Sequence, residues 1–272
     1  MSEAVQKKFS IDIHQKLYEK ETPHGDMAVY QTSPFGMILT IDGQIVLSEN
    51  DGFFYHEMMS HPALFTHPHP QKVAIAGNDY GILQEILKHS TVKEVLCVSD
   101  NTALQDVISQ YFTCCNEIAH DPRVKYHVAN PLTWFAQCEM KDFDIIIQSL
   151  HSEDFLQEHY QYYHHALRTD GILVQPCISS LLYPLLLKPI FQHLKLVGFD
   201  DRQMLNFPQP SYPSGLRTVM MATKSSTIKR IRERDIYNRT FSTRYYNFDT
   251  HKAALALPEF ARKDLDIADY LL

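Results

Sequence analysis

The sequence predicts an α/β protein: a doubly wound, mostly parallel sheet with a small antiparallel β domain in front of it. Three observations carry that prediction. The first sixty-odd residues consist of alternating and β-branched runs, with Asp42-Gly43 between two of them as a hairpin turn. Two prolines in "THPHPQK", residues 66 to 72, then break the chain. Beyond the break, short apolar runs alternate with helical periodicity, the order that builds a doubly wound sheet.

In chain order, "SIDIHQKLY" alternates Ile11 and Ile13 with polar neighbours, and "MAVYQT" and "MILTIDGQIVLS" are rich in β-branched and aromatic residues. These runs define an antiparallel β domain over residues 1–65 and leave 66–272 for the α/β domain. "DGFFYHEMM", residues 51 to 59, sets Tyr55, His56 and Glu57 among aromatics and methionines. The pattern fits a functional polar cluster or an amphipathic helix with a wet face. A strand at Val73–Ala76 precedes a helix at Gly81–His89, with Ile82, Leu83, Ile86 and Leu87 on one face. Next come a strand at Val92–Ser99, a helix at Asn101–Tyr111 and a strand at Val124–Ala129. "FDIIIQS", Phe143–Ser149, is the apolar run that a central parallel strand needs. A helix at Asp154–Leu167, a strand at Gly171–Val174, a helix at Leu181–His193 and a strand at Leu216–Thr223 complete the pattern. Ligands of such sheets bind at the carboxyl ends of the strands, here Gly77–Tyr80, Ser99–Asn101, Asn130 and Gln148–His151.

Composition narrows the class. A hydrophobic fraction of 44% supports a packed core, and a net charge of −7 argues against a nucleic-acid-binding surface. Five cysteines (Cys97, Cys114, Cys115, Cys138 and Cys177) form an odd set without zinc-ligand spacing, which fits a reduced, cytoplasmic setting. "MSEAVQKKFS" has no apolar signal core. "SSLLYPLLLKPIFQHL" is interrupted by Pro184, Lys188 and Pro189, too short and broken to span a bilayer. The 15 histidines contain no H-x-x-x-H or H-E-x-x-H pair, so no metal site is expected, and no G-x-S-x-G or Walker motif occurs.

Three stretches could carry chemistry. "VAIAGNDYGILQEIL" has the form of a nucleotide-binding turn in which only Gly77 and Gly81 remain as glycines. Asp100, after the second parallel strand, suits either the hydroxyls of a ribose or a helix N-cap. Tyr212 lies in a Pro- and Gly-bounded loop, "PQPSYPSGLRTVMMATK", where a tyrosine is either packed or functional.

Taken together, these stretches resemble the spermidine synthase family of polyamine aminopropyltransferases. "LTIDGQIVLSENDGFFYHEMMSHPALFTHPHPQKVAIAGNDYG" is similar to the family stretch from a β hairpin through Y-H/Q-E-M to a GGGDGG turn. "PSYPSG" is similar to the family's P-T-Y-P-S-G, and "TRYYNFDTHKAALALPEFARKDL" to its C-terminal segment. The resemblance implies a Rossmann-like, methyltransferase-like domain. It also implies transfer of an aminopropyl group from decarboxylated S-adenosylmethionine to putrescine or a related amine, with release of methylthioadenosine. The donor is a co-substrate and no further cofactor is implied. A homodimer or homotetramer is expected, with no nucleic-acid or membrane partner.

Carried over by position, Tyr55 and His56 place the amine and donor, Asp79 meets the aminopropyl or its amine, and Tyr212 partners the catalytic acid. The departures are as specific. Ala76, Gly77 and Asn78 stand at the three leading glycines, and Tyr80 at a further one. Ser99 replaces the ribose-binding glutamate, with Asp100 as the stand-in, and Asn130-Pro131 replaces the Asp-Gly that holds the adenine amine. Gln148, Ser149, Leu150 and His151 replace D-S-S-D, whose first aspartate is the general base. Glutamine cannot take that proton, so His151 is the expected replacement base, with Glu153 and Asp154 close behind. An acid expected near Val174–Ile178 is missing, and an N-terminal contact near His24-Gly25 is changed. These losses leave a second reading open, a non-catalytic relative that binds a polyamine or nucleoside. A methyltransferase would not account for the N-terminal sheet or the Tyr212 motif.

Overall fold

The computed structural model describes residues 10–112, 118–139, 141–149 and 156–265. The first sheet is a four-stranded antiparallel meander, β1 (Asp12–Thr22), β2 (Gly25–Ser33), β3 (Gly36–Ile41) and β4 (Gln44–Ser48), in sequential order. Its β3–β4 turn is the predicted one: Asp42 and Gly43 both have positive φ, 50° and 74°, the twist that a two-residue hairpin requires. The Asp42 carboxylate also accepts from the Asp26 backbone N–H at 2.8 Å, tying this turn to the neighbouring one.

Residues 52–66 depart from the predicted β character and form helix α1 (Gly52–Thr66). Nor does α1 have a wet face: twelve of its fifteen residues are buried, including Glu57 and His61. Glu57 is tolerated inside because its carboxylate accepts from the backbone N–H groups of Arg244, Tyr245 and Tyr246 at 2.7, 2.9 and 2.7 Å. This pins the C-terminal "TRYYN" segment to α1.

The second sheet has seven strands among the described residues. They are β5 (Lys72–Ala76), β6 (Glu94–Val98), β7 (Val124–His127), β8 (Phe143–Gln148), β9 (Leu167–Cys177), β10 (Asp201–Pro208) and β11 (Leu216–Thr223). Their spatial order is β10-β11-β9-β8-β5-β6-β7. The five strands from β7 to β9 are parallel, whereas β11 and β10 run antiparallel at one edge. The order reverses between β5 and β8, which defines the switch-point crevice.

Alternation within each strand separates two apolar layers. Val73, Ile75, Ile145 and Ile147 belong to one, and Ala74, Ala76, Ile146 and Leu173 to the other. Helices α2 (Tyr80–Leu87), α3 (Thr102–Tyr111), α4 (Pro131–Ala136), α5 (Gln157–Ala166) and α6 (Lys188–Val197) follow strands of this sheet. Helices α7 (Glu233–Tyr237), α8 (Phe248–Ala254) and α9 (Glu259–Leu265) form the C-terminal part.

Three further elements differ from the sequence prediction. Strand β10 was not expected, because "DRQMLNFP" mixes polar and apolar residues as an edge strand can. The helix expected over Leu181–His193 is a 3-10 turn at Pro184–Leu187 followed by α6. Pro189 fits the first turn of a helix, where its missing N–H costs nothing, and Gly198 at φ 105° ends α6. Strand β9 extends well beyond Gly171–Val174 at both ends, with an irregular register against β8. No helix among the described residues is long and apolar enough to cross a membrane.

Candidate active site

The turn after β5 lies at the centre of the crevice. Gly77 has φ 128°, a conformation that L side chains rarely adopt, so the turn needs a glycine there. Asp79 is the N-cap of α2, its Oδ1 accepting from the Ile82 backbone N–H at 2.9 Å. His56 Nε2 stands 3.7 Å from the same oxygen. A Cβ added to Gly81 would fall 2.2 Å from the His56 ring, so α1 and α2 approach closely only because residue 81 has no side chain.

Tyr55, beside His56 on α1, is buried, and its hydroxyl has no hydrogen-bond partner among the described residues. Burial, reinforced by the Asp79 charge, pushes that hydroxyl well above the usual phenol range, so it stays protonated and available as a donor. The Arg217 guanidinium carbon is 4.7 Å from the Tyr55 ring centroid and 4.1 Å from that of Tyr212. Both tyrosine rings therefore lie against a buried cation. Arg217 Nε donates to Gln209 Oε1 at 2.8 Å. The loop bearing Tyr212 is anchored by Asp51, just before α1, whose two oxygens accept from the Ser211 N–H at 2.7 Å and the Ser211 hydroxyl at 2.8 Å.

Gln148 closes β8 directly beside Ala76 in the parallel register, and the next residue, Ser149, donates its backbone N–H to the Ala76 carbonyl at 2.9 Å. The strand thus delivers Gln148 to the crevice at the level of the Gly77–Asp79 turn, where it is buried. His151, Glu153 and Asp154 lie outside the described residues. Ile178, in the stretch expected to supply an acid, cannot ionise.

A second subsite opens at the ends of β5, β6 and β7. It is a cleft whose lining includes Asn78, Cys97, Ser99, Asn101, Tyr126 and His127. The N-cap alternative for Asp100 is excluded: the cap of α3 is Asn101, whose Oδ1 accepts from the Leu104 N–H at 3.0 Å. Asp100 instead faces Asn130, whose Nδ2 donates to its Oδ2 at 3.4 Å, and His24 Nε2 lies 3.9 Å from its Oδ1. His24 brings the N-terminal sheet to this end of the cleft. Asn130 also caps α4, its Oδ1 accepting from the Thr133 N–H at 3.2 Å, and Pro131 opens the helix. Burial pushes the Cys97 thiol up to about 12, with the Asp79 charge adding to the shift, so this cysteine is a neutral wall and not a nucleophile.

The structure thus brings Tyr55, His56, Asp79 and Tyr212 to one end, with Gln148 beneath, and Asp100 and Asn130 to the other. Arg217, Asp51 and Gln209 were not singled out from the sequence. All three do, however, lie within stretches that were, Asp51 in "DGFFYHEMM" and Gln209 and Arg217 in "PQPSYPSGLRTVMMATK".

A crevice at the switch point of a doubly wound sheet, polar at one end and walled by tyrosines and a carboxylate at the other, defines a two-substrate group-transfer site. Comparison with known proteins gives the family. The Spermine/spermidine synthase domain matches residues 52–232, and the Spermidine synthase tetramerisation domain matches residues 2–49. The polyamine aminopropyltransferase of Nitrosococcus oceani is 39% identical over 264 residues, 94% of this chain and 92% of the relative. That of Thioalkalivibrio sulfidiphilus is 37% identical, with 94% of each chain covered. Spermidine synthase from Thermotoga maritima superposes with a TM-score of 0.87 at 26% identity, covering 94% of this chain and 90% of that one. A spermidine synthase in complex with the transition-state analogue AdoDATO gives 0.89 at 25% identity, with the same coverage. The chain belongs to the spermidine/spermine synthase family.

Proposed function

We propose that this protein transfers an aminopropyl group from decarboxylated S-adenosylmethionine to a primary amine and releases methylthioadenosine. The observation that supports this most directly is the convergence of Tyr55, His56, Asp79 and Tyr212 beside the cleft lined by Ser99 and Asn101. The adenosine part of the donor occupies that cleft, with Asp100 on the ribose and Asn130 on the adenine amine. Gly77 lets the backbone come close to the donor.

In the reaction, the amine nitrogen forms a bond to the aminopropyl carbon attached to sulfur. The carbon–sulfur bond breaks, and its electron pair neutralises the sulfonium to a thioether. The new secondary ammonium then loses a proton. Because the leaving group is already activated, alignment is the protein's main task. Asp79 Oδ2, which has no hydrogen-bond donor among the described residues, holds the ammonium of the aminopropyl chain. Tyr55, His56 and Tyr212 hold the acceptor. Gln148 orients it without taking the proton, a role we assign to His151. No cofactor beyond the donor is required by this chemistry.

The tetramerisation-domain match over residues 2–49 supports a homodimer or homotetramer. A cytoplasmic location fits the reduced cysteines at 97, 138 and 177.

The reading is tested by methylthioadenosine release in two variants. Asp79→Asn should lower the rate at least about a hundredfold, as expected when a residue that aligns the reacting groups is lost. Gln148→Asp should raise it by restoring a base. Release by Asp79→Asn at the wild-type rate would remove Asp79 from the mechanism.

A further inference from the structure

Helices α1 and α2 each bring a side chain to the transfer site, His56 from one and Asp79 from the cap of the other, with their facing atoms 3.7 Å apart. The packing of the two helices is set at successive points. Nearest the crevice, Gly81 leaves room for the His56 ring. Further along, Ser60 Oγ donates to the Ile82 carbonyl at 3.3 Å. Beyond that lies a buried polar chain that the transfer chemistry does not use. His61 Nε2 is 3.0 Å from Glu85 Oε2, and His61 Nδ1 is 2.9 Å from His89 Nε2. Lys88 Nζ completes the chain, 2.8 and 2.6 Å from the two Glu85 oxygens.

The surroundings fix the protonation states of this chain. Burial opposes the charge on Glu85, but the His61 bond and Lys88 outweigh it and hold the carboxyl below its usual range. Burial keeps His61 below the ordinary histidine range against the pull of Glu85, and it pushes His89 down to about 2. Both rings are therefore neutral and Glu85 is ionised. His61 donates from Nε2–H to Glu85, which leaves its Nδ1 to accept from His89 Nε2–H. Both nitrogens of a fully buried ring are thus used, and the ring is held in one orientation. Phe241 and Tyr246 pack against His61, and Phe65 against His89.

The place of His61 on α1 gives the chain a role beyond packing. Pro62 follows it inside the helix and has no N–H for the Met58 carbonyl, so the backbone bonding of α1 is interrupted there. The segment that carries Tyr55 and His56 then depends on side-chain contacts for its position against α2. His61 lies about 7.5 Å along the helix axis from His56, close enough to transmit a shift without reaching the substrates. A displacement of about 1 Å at reacting groups can cost about a hundredfold in rate. We propose that His61 and Glu85, locked by His89, are positioning residues for the transfer reaction: their bond sets the separation of His56 and Asp79 at the acceptor end of the crevice. The inference rests on the aminopropyl-transfer reading of that site. The three residues act through α1 and α2 and take no part in the bond changes.

The experiment measures two quantities on the full-length protein: kcat for methylthioadenosine release from decarboxylated S-adenosylmethionine and putrescine, and methylthioadenosine affinity by calorimetry. His61→Leu removes both ring bonds at similar volume. Its kcat should fall at least about tenfold. Its affinity for methylthioadenosine should match the wild type, because the donor cleft is built on the ends of β5, β6 and β7. His61→Gln, which can still donate to Glu85, should recover part of the loss. His89→Leu, which frees the His61 ring without touching Glu85, should lower kcat by less, and it decides the matter if His61→Leu fails to fold. Leu194→Ala opens a cavity in the other apolar layer and controls for lost stability; it should keep the wild-type kcat. A wild-type kcat in His61→Leu, or in His89→Leu where that variant decides, overturns the inference. So does an equal loss in Leu194→Ala, or a parallel loss of methylthioadenosine affinity, since either makes the effect one of general stability. All these outcomes leave aminopropyl transfer standing. No release by the wild type with putrescine or any other primary amine overturns the transfer reading, and the inference with it.

Discussion

Glu57 makes a strong prediction because its role is so localised. Its carboxylate receives three backbone N–H groups from Arg244, Tyr245 and Tyr246, and it is 1% exposed. In Glu57→Ala all three donors lose their acceptor. Hydrogen bonds to a charged group are worth about 1.5–3 kcal/mol each, but Arg244 is exposed and Tyr245 half-buried, so their donors can recruit water. A cost of about 3–5 kcal/mol follows, the range for breaking a buried polar network. Glu57→Gln keeps one acceptor oxygen, which can serve Tyr245 and Tyr246 as Oε2 does now. Its amide NH₂ then opposes the Arg244 N–H, so about 2–3 kcal/mol is expected. For a chain of this size each kcal/mol moves the melting temperature by roughly 2–4 °C, so Glu57→Ala should melt roughly 6–20 °C below wild type. Hydrogen exchange provides the local readout: amides 244 to 246 should lose protection before the sheet does. A melting temperature within about 1 °C of wild type, or unchanged protection at those amides, would refute the assignment.

Other consequences follow from the same geometry. Gly81→Ala drives a Cβ into the His56 ring, so kcat/KM should drop at least about tenfold while the melting temperature moves by only a few degrees; unchanged kinetics would mean that His56 is not held for function. Asp51→Ala removes both acceptors of Ser211 and should cost about 2–4 kcal/mol by urea denaturation, whereas Asp51→Asn, which can accept from the Ser211 N–H and donate to its hydroxyl, should recover most of it. His251 is buried, its Nε2 has no partner among the described residues, and burial lowers its pKa to about 4. The unfolded chain therefore takes up a proton below about pH 6.5 that the folded one refuses, and stability falls as the pH drops from there to about 4. Roughly 2 kcal/mol should be lost between pH 7 and pH 5 through this residue, and His251→Leu should flatten the urea midpoint over that window. An unaltered slope would exclude it.

What could be read from the sequence was whatever depended on local pattern. The Asp42-Gly43 turn and the apolar run of β8 follow from two-residue turn chemistry and full burial, and both lie where expected. Gln148 was placed at the crevice because a strand's carboxyl end is fixed by its length. Failures came where tertiary contacts decide. Glu57 reads in the sequence as part of one polar cluster with Tyr55 and His56, yet successive side chains on a helix point about 100° apart. Tyr55 and His56 reach the crevice while Glu57 turns to the C-terminal segment. Asp100 and Asn101 are both good N-caps, and only the helix register decided between them. Arg217, two residues after Gly215, reads as an ordinary surface cation, because no periodicity reports the two tyrosine rings it lies against.

The central claim is that an aminopropyl group, and no other part of the donor, is transferred at this crevice. It is tested most directly by incubating the full-length protein with decarboxylated S-adenosylmethionine labelled in the aminopropyl chain and a panel of primary amines, followed by mass spectrometry of both products. The account predicts methylthioadenosine and an aminopropylated amine in equal amounts, with all the label in the amine. Label retained by the nucleoside, or a methyl group on the acceptor, would contradict it.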